Sequence, residues 1–342
     1  MSRPQWRVLD GPPADWETLV AEDPGATPAH RGALWAALAA TLPGFSPAFV
    51  AVEREGALLG GVGVMVERRG GLHWIHLMPY SLPGAPLART GAHEEVDAAV
   101  AEALDAQAAA LGAVGGAWIG YRPLGPDVAP ALERLGGETR WLETSWIDLS
   151  RGATVAFRAA EGDLRQQVRR ARRLGLRFAE EPGALEEAYV QHAAQSRSWS
   201  GHRPLPLALC RRLLTRVDQD PAARLFTVRD DRGLLAAVLA LVHAREVLAW
   251  WSGTHPEGRH RHAFPLLLWS LAEWCAERGV ERLNLGASGG FDSLIAFKRS
   301  FGARSLRYPV RWLDACHAGP LGRAVARAQS WWRRDRARGE SA

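Results

Sequence analysis

The sequence predicts an α/β protein with two similar halves, each a mixed, mostly antiparallel sheet flanked by helices. Strand and helix patterns follow the same order in both halves. A shift of 176 positions aligns Leu58-Leu59-Gly60-Gly61-Val62 with Leu234-Leu235-Ala236-Ala237-Val238, which indicates an internal duplication. The 342 residues, 47% hydrophobic and 23% charged, are sufficient for a separate core in each half.

The first half begins with helical patterns, continues with adjacent strands, and ends with alternating helices and strands. Periodicity predicts helices over residues 15–21, 30–41, 93–111 and 128–135, and strands over 49–54, 58–67, 72–78, 117–120 and 143–149. The 176-residue shift further aligns Leu72 with Leu248 and Trp74 with Trp250, at the start of the third strand of each half.

The second half repeats this order. Its helices are predicted over 184–197, 207–216, 262–278 and 292–299, and its strands over 224–229, 234–243, 247–252, 282–285 and 306–311. We expect domains at residues 1–150 and 151–315, followed by a basic tail over 316–342. The tail is predicted to form a basic amphipathic helix over 321–338, which either contacts a membrane surface or docks on the protein.

Composition favours a cytoplasmic protein without a metal centre. The sequence has neither an apolar run long enough to span a membrane nor an apolar segment typical of a secretory signal near its start. Cys210, Cys275 and Cys316 are scattered, and their spacing matches neither a metal site nor a disulfide framework. Lys298 is the only lysine among 42 basic residues, so it is a candidate for a task that arginine performs badly.

The densest basic run lies in residues 164–176. Leu164, Val168 and Ala171 fall on one helical stripe, while Arg165 and Arg169 crowd a neighbouring face together with Arg172 and Arg173. Like charges four residues apart repel each other, so a bound phosphate would stabilise this face. The alternative interpretation is a solvated helix whose arginines have local acidic partners.

The segment 250–263 links a predicted strand to the longest helix of the second half. Backbone N–H groups at such a helix start bind phosphate groups well. His255, His260 and His262 occur here, but their loop setting and the lack of nearby cysteine or aspartate argue against zinc.

The segment 283–302 contains the strongest combination of features. A predicted strand ends in a loop of small residues that includes Ser288, and a short helix that begins at Asp292 then carries Lys298. Ligands bind at the carboxyl ends of strands in open α/β sheets, where an ammonium would stabilise a developing oxyanion. The alternative places Lys298 on an exposed helix face.

These segments resemble the Fem-type peptidoglycan aminoacyltransferases and their GNAT relatives. The resemblance is carried by the basic run 165–175, the strand exit 250–257, the helix 266–279 and Phe297-Lys298-Arg299-Ser300-Phe301-Gly302. It implies two GNAT-like domains and transfer of an amino acid from aminoacyl-tRNA to an amine of a cell-wall precursor; other relatives use acyl-CoA.

The resemblance also implies roles for individual residues. Lys298 matches a lysine beside the tetrahedral centre, and Arg165 or Arg169 matches a basic helix near the precursor's phosphates. The GNAT pyrophosphate turn reads Q/R-x-x-G-x-G/A; here Arg259 is in place, but His262 replaces the first glycine. Trp251 stands where a tyrosine is expected.

We therefore expect an acyltransferase that moves an acyl or aminoacyl group to an amine, with Lys298 as the catalytic residue. The alternative is a non-catalytic protein that binds a phosphate ligand on a duplicated GNAT scaffold. Asp292, Glu257, His255 and water all remain candidates for the general base. Predicted substrate contacts are Arg165, Arg169, Trp251, Ser252, Ser288 and Asp292, and predicted donor contacts are Arg259, His262 and Ala263. The donor is acyl-CoA or aminoacyl-tRNA, and the acceptor is a small molecule or a cell-wall precursor.

Overall fold

The computed structural model describes residues 2–77, 82–197, 204–215, 221–289, 291–313, 318–320 and 322–325. The chain forms two compact units, Met1–Trp141 with Tyr308–Ala342, and Leu142–Arg307. The predicted domain boundary at residue 150 therefore falls inside the second unit. The predicted second domain, 151–315, also ends in residues that belong to the first unit.

The first unit is a mixed sheet with helices. Its helices are α1 (Trp16–Glu22), α2 (Gly32–Thr41), α3 (His93–Leu111) and α4 (Ala129–Leu132). Its strands are β1 (Gln5–Leu9), β2 (Phe45–Arg54), β3 (Ala57–Arg69), β4 (Leu72–Leu77), β5 (Leu87–Ala88), β6 (Gly116–Ile119) and residues 308–313 of β13 (Arg304–Leu313). The sheet order is β1-β2-β3-β4-β6-β13, and β5 pairs with β3.

The second unit has the same design. Its helices are α5 (Ala153–Ala159), α6 (Gly162–Arg173), α7 (Leu185–Ser196), α8 (Leu207–Leu214), α9 (Pro256–His260), α10 (Ala263–Glu277) and α11 (Asp292–Ser300). Its strands are residues 142–148 of β7 (Glu138–Asp148), then β8 (Arg177–Glu180), β9 (Ala223–Asp230), β10 (Gly233–Val242), β11 (Glu246–Thr254) and β12 (Arg282–Ala287). The sheet order is β7-β12-β11-β10-β9-β8.

The last strand of each sequence half pairs in the unit formed by the other half. In the first unit, β6 pairs antiparallel with β13, with Ile119 opposite Val310. In the second unit, β12 pairs antiparallel with β7, with Arg282 opposite Asp148. Neither half of the sequence therefore contains every strand of one unit, which is why the predicted domain boundaries differ from those of the structure.

The first hairpin of each half has the same strand pairing, as the internal duplication predicts. Val50 pairs with Val62 in β2–β3, and 176 positions later Phe226 pairs with Val238 in β9–β10. Both hairpins also shift register near their turns. The equivalence ends with the next strand, because Val66 pairs with Ile75 whereas Val242 pairs with Val247. The alignments of Leu72 with Leu248 and of Trp74 with Trp250 are therefore not structurally equivalent.

The core of the second unit lies between the sheet and α10. Leu267 and Leu271 of α10 belong to the same buried cluster as Phe226 and Leu283 of the sheet. The apolar stripe predicted on this helix thus packs as core. Gly279 ends the helix with φ +72°, in the left-handed region that its position requires.

Several short elements were not predicted, and part of the tail lies outside the described residues. The unpredicted strands and α-helices are β1, β5, α5, β8 and α9, of two to seven residues each. Such lengths give too few periods for a hydrophobic pattern.

Of the predicted tail helix only residues 322–325 are described, and Cys316 is also outside the described set. Among the described helices, none has the length and apolar character needed to cross a bilayer.

Candidate active site in the second unit

The two parallel strands at the centre of the second unit separate at their carboxyl ends. Pairing between β11 and β12 covers residues 246–248 and 282–284 only. Beyond that point β11 runs on to Thr254 and β12 to Ala287. The two strands are therefore unpaired beyond residues 248 and 284, and this opening in the sheet lies at the edge where open α/β sheets bind ligands.

Lys298 lies at this opening. It lies in the last turn of α11. Its Nζ donates hydrogen bonds to the carbonyls of Gly286 (2.7 Å) and Ala287 (2.9 Å). Only 4% of the residue is exposed. Gly286 and Ala287 end β12 and begin the loop of small residues that follows the predicted strand 282–285. The amine therefore contacts the start of this loop, and the alternative of a lysine on an exposed helix face is wrong.

Aromatic packing fixes the helix that carries this lysine. The ring of Phe297 stacks on Phe264 at 5.8 Å and meets Phe301 edge-on at 5.2 Å. Phe264 is the second residue of α10. These contacts join α11, which carries Lys298, to the start of α10, which follows the predicted donor turn.

The surroundings of Lys298 change its protonation. Burial lowers the pKa of the amine from 10.5 to about 8, although the nearby carboxylate of Glu143 acts in the opposite direction. An ammonium has three N–H donors, and the two carbonyls use two of them. Within the part of the chain that the structure describes, no third acceptor contacts Nζ, so one donor is left for a ligand.

Three buried polar residues that the sequence analysis did not single out lie on β11 and β12, next to the strand end that Lys298 contacts. Asn284 and Glu246 are fully buried and joined by a hydrogen bond of 3.0 Å, and Arg282 pairs with the same carboxylate at 3.1 Å. The sequence did contain a signal for these residues, because each is a polar residue in an otherwise apolar strand. A polar side chain that faces a core requires a hydrogen-bond partner, so such residues are expected to contact one another.

Two more predicted substrate contacts, Ser288 and Asp292, flank the lysine in sequence. Ser288 follows the carbonyl of Ala287 and is 4% exposed, and its Oγ finds no hydrogen-bond partner among the described residues. Such a buried hydroxyl is suited to a bound ligand. Asp292 is exposed in the first turn of α11. Their roles as substrate contacts stay predictions.

Trp251 and Ser252 lie on β11 beneath α7. The indole of Trp251 is buried, stacks on His192 at 4.6 Å and meets Tyr189 edge-on at 6.4 Å. His192 Nδ1 donates to the carbonyl of Ser252 (2.8 Å). The packing of α7 therefore accounts for the Trp251 side chain, and its contact with a substrate stays a prediction.

The predicted donor turn is wound into the short helix α9. The N–H groups of Arg259, Arg261 and His262 bond to carbonyls of the same segment, and the N–H of Glu257 bonds to the ring of His255. His262 then adopts φ +59° immediately before Ala263 begins α10. Burial and the charge of Arg170 lower the pKa of His262, which favours its neutral form.

This turn does not fit a pyrophosphate in the manner of the GNAT motif. The start of a helix leaves its first N–H groups without intrahelical acceptors, but the third position of α10 is Pro265, which has no N–H. Ala263 and Phe264 are left to contact a phosphate. A pyrophosphate held by the backbone needs a longer series of N–H groups.

The arginine face of α6 forms an open groove of about 470 Å³, lined by Gln166, Arg169, Arg172 and Arg173. Arg169 also lies 5.9 Å from the ring of Phe157. Arg165, by contrast, donates to the carbonyl of Arg158 (3.0 Å) and is not part of the groove lining. The structure thus brings Arg169 together with Arg172 and Arg173 rather than with Arg165.

The start of α3 in the first unit is filled by that unit's own side chains. The buried carboxylate of Asp23 accepts hydrogen bonds from the N–H groups of Gly25 and Ala88 and contacts the ring of His93. Arg122 forms a bidentate pair with Asp97 nearby. The side chain of the first residue of α3 is therefore held by a buried carboxylate of the same unit.

Comparison with known proteins agrees with this geometry. Residues 157–299 match the family described as acetyltransferase (GNAT) domain. No curated protein matches the sequence of the chain. Among solved structures, FemX is similar with a TM-score of 0.70 at 12% identity, over 89% of this chain and 96% of that one.

Two further structures share the fold. The C-terminal domain of a putative lysylphosphatidylglycerol synthetase from Agrobacterium fabrum has a TM-score of 0.53 at 17% identity, over 79% of this chain and 84% of that one. A tandem GNAT protein from the clavulanic acid biosynthesis pathway has a TM-score of 0.52 at 14% identity, over 92% and 99%. The second unit therefore contains a segment that matches the acetyltransferase (GNAT) domain, and the chain as a whole shares the tandem GNAT-like fold.

Proposed function

We propose that this protein transfers an acyl or aminoacyl group to an amine, and that Lys298 stabilises the oxyanion formed on the donor carbonyl. The observation that carries the proposal is the buried amine at the opening between β11 and β12, with one N–H free of the two loop carbonyls. A preorganised donor in a water-poor site stabilises such charge well.

In this reaction the acceptor amine attacks the donor carbonyl carbon, and the carbonyl π electrons move to the oxygen beside Lys298. Return of that electron pair expels the leaving oxygen or sulfur, which takes up a proton, and the new amide nitrogen loses one. The protein holds the two reactants together and offers charge stabilisation, so it needs no nucleophile of its own. Asp292, Glu257, His255 and water remain candidates for the proton acceptor.

The cysteines support a direct transfer. Cys210 and Cys275 are buried, and burial raises the pKa of Cys210 to about 11 and that of Cys275 as well. A thiol with a raised pKa is a poor nucleophile at neutral pH. The described cysteines are therefore unsuited to carry a covalent acyl intermediate.

We favour an aminoacyl-tRNA donor over acyl-CoA. The turn before α10 offers few N–H groups for a pyrophosphate, whereas Arg169 and Arg173 of the α6 groove suit a phosphate-rich ligand. Arg172 of the same groove pairs with Glu273. The resemblance to Fem-type enzymes points to an amine of a cell-wall precursor as the acceptor. A cytoplasmic location, where charged tRNA is available, is part of the same proposal.

The second candidate is a non-catalytic protein that binds a phosphate ligand through the α6 groove. The observation that favours it is the groove itself, which does not depend on Lys298. Turnover that is lost with Lys298 while the ligand still binds would exclude this candidate.

The test compares the wild-type protein with Lys298→Met, using radiolabelled aminoacyl-tRNA and acetyl-CoA with a panel of amine acceptors. We expect Lys298→Met to lower kcat by about 10²–10³. Lys298→Arg should rescue little, because its planar head cannot occupy the same point. The matched control is Arg299→Met at the exposed neighbouring position. Full activity of Lys298→Met would overturn the assignment.

The pH dependence of the same assay separates two roles of the amine. Because burial lowers the pKa of Lys298 to about 8, an ammonium that stabilises an oxyanion loses effect above that pH. We therefore expect kcat/KM, which reports groups of the free enzyme, to fall on the alkaline side of about pH 8. A kcat/KM that instead rises through this range, and does so only while Lys298 is present, would show that the neutral amine acts as a base.

A further inference from the structure

We infer that Asn284 is a positioning residue for Lys298, and that its buried hydrogen bonds hold the two carbonyls that bind the lysine. The inference rests on the proposed function, since it assigns to Asn284 an effect on the reaction through the amine. It adds a residue from inside the sheet to a site that is otherwise built from the loop and α11.

Asn284 is fully buried and bonded on both sides of its amide. Its Oδ1 accepts the N–H of Gly286 (2.8 Å) and the hydroxyl of Thr144 (2.7 Å). Its Nδ2 donates to Oε1 of Glu246 (3.0 Å). The side chain thus links the carboxyl end of β12 to the two strands on either side, β7 and β11.

Glu246 fixes the orientation of this amide. Its other oxygen accepts Nε of Arg282 (3.1 Å), and the two side chains form a buried ion pair. An ionised carboxylate accepts hydrogen bonds only, so the amide must turn Nδ2 toward it. Oδ1 then faces the N–H of Gly286, and a flipped amide would place two N–H donors against each other.

The bond to Gly286 matters because of the backbone at that residue. Successive carbonyls of a strand point in opposite directions, yet those of Gly286 and Ala287 both accept from Nζ of Lys298. Gly286 has φ +76°, a left-handed conformation that interrupts the strand and allows this arrangement. Asn284, two residues earlier, ties down the N–H of the same residue.

A purely structural role would join β7, β11 and β12 without affecting the lysine. The two interpretations differ in what happens to the amine when the bonds are removed. Released from Asn284, the loop would let water reach Nζ or withdraw its carbonyls, and either change alters the pKa of Lys298. The charged side chain that contributes to this pKa is Glu143 on β7, which all the variants below retain.

The experiment uses the fact that Lys298 is the only lysine. Incorporation of ¹³C-lysine gives one side-chain signal in the NMR spectrum of the unmodified protein, and its Cε shift reports the pKa directly. The variants are Asn284→Ala and the milder Thr144→Val, which removes one hydroxyl at nearly constant volume. The matched control is Thr227→Val on β9, a buried threonine whose hydroxyl donates to Glu181 (2.7 Å) away from the site.

We expect the lysine pKa to move toward its ordinary value in Asn284→Ala, and less far in Thr144→Val, because water reaches the amine. A lowered pKa would support the inference equally, since it would report lost carbonyl acceptors. We also expect kcat to fall by about tenfold or more in Asn284→Ala with little change in KM. Thr227→Val should leave both quantities unchanged.

The two proposals fail in different ways. If the lysine pKa of Thr144→Val and of folded Asn284→Ala equals that of the wild type, the positioning inference is overturned even if Lys298→Met is inactive. If the pKa moves but neither these variants nor Lys298→Met loses activity, the proposed function is wrong. If Asn284→Ala does not fold, Thr144→Val against Thr227→Val decides the question.

Discussion

Lys298 couples the chemistry of the site to the stability of the second unit. Burial lowers the pKa of its amine in the folded protein to about 8, whereas its ordinary value is 10.5. Between these two pH values the unfolded chain binds more protons than the folded one. The free energy of unfolding therefore rises with pH across this window, and the full cost of burying the charge is present below about pH 8.

This pH dependence can be tested by removing the amine. Lys298→Met replaces the amine by an apolar side chain, so it should abolish the pH-dependent contribution of residue 298 to the free energy of unfolding. The melting temperature of the wild type should rise relative to that of the variant by a few degrees between pH 7.5 and pH 10. Thermal unfolding of both proteins in matched buffers measures this difference, and parallel profiles would contradict a buried, perturbed amine.

At the scale of single elements, the backbone conformation at the carboxyl end of β12 can be tested without changing Asn284. Gly286 and Gly279 have similar left-handed φ values, +76° and +72°, and a Cβ at either position would meet nothing within 4 Å. An alanine at either position therefore costs about 1 kcal/mol of backbone strain. Of these two glycines, only Gly286 presents a carbonyl to Lys298.

We predict that Gly286→Ala lowers kcat by about tenfold and that Gly279→Ala leaves it unchanged, although both lower the melting temperature to a similar extent. Steady-state kinetics and thermal unfolding of the two variants measure the contrast. Equal kcat values in the two variants would mean that the conformation of Gly286 does not matter for the reaction.

The groove on α6 makes a separate prediction about phosphate. Arg169 and Arg173 line it, whereas Arg165 is turned toward a backbone carbonyl. Charge reversal of Arg169 and Arg173 should weaken tRNA binding by at least about tenfold and reduce its salt dependence. Arg165→Glu should have a smaller effect than either.

The control for this experiment has the same change in net charge. Arg211→Glu with Arg212→Glu reverses two exposed arginines on α8, and we expect affinity for tRNA to remain near that of the wild type. Filter binding at several salt concentrations measures both double variants. An equal loss in the two would show that overall charge, and not the groove, attracts the ligand.

At the scale of the molecule, the exchange of last strands predicts which fragments fold. A fragment of residues 142–307 keeps the pairing of β12 with β7, including the bond from Thr144 to Asn284. A fragment of residues 151–315, cut at the boundaries that the sequence predicts, lacks β7 and exposes an edge of β12. An unpaired sheet edge promotes aggregation.

We therefore predict a cooperative unfolding transition for the 142–307 fragment and poor solubility or no transition for the 151–315 fragment. Circular dichroism with thermal unfolding, after expression under the same conditions, measures both. A soluble, cooperatively folded 151–315 fragment would show that the second unit does not require β7.

The sequence by itself determined the order of strands and helices, the duplicated first hairpin and the apolar stripe of α10, and it singled out Lys298 as the candidate catalytic residue. These features depend on local periodicity, on residues close in the chain, or on the rarity of one residue type. Only the tertiary structure decided that β7 and β13 pair in opposite units, that Asn284 and Glu246 lie behind the lysine, and that Arg169 joins Arg173 rather than Arg165. Each of these depends on contacts that no local pattern specifies: Asn284 meets Thr144 across 140 positions, and that pairing is selected by the packing of the whole sheet.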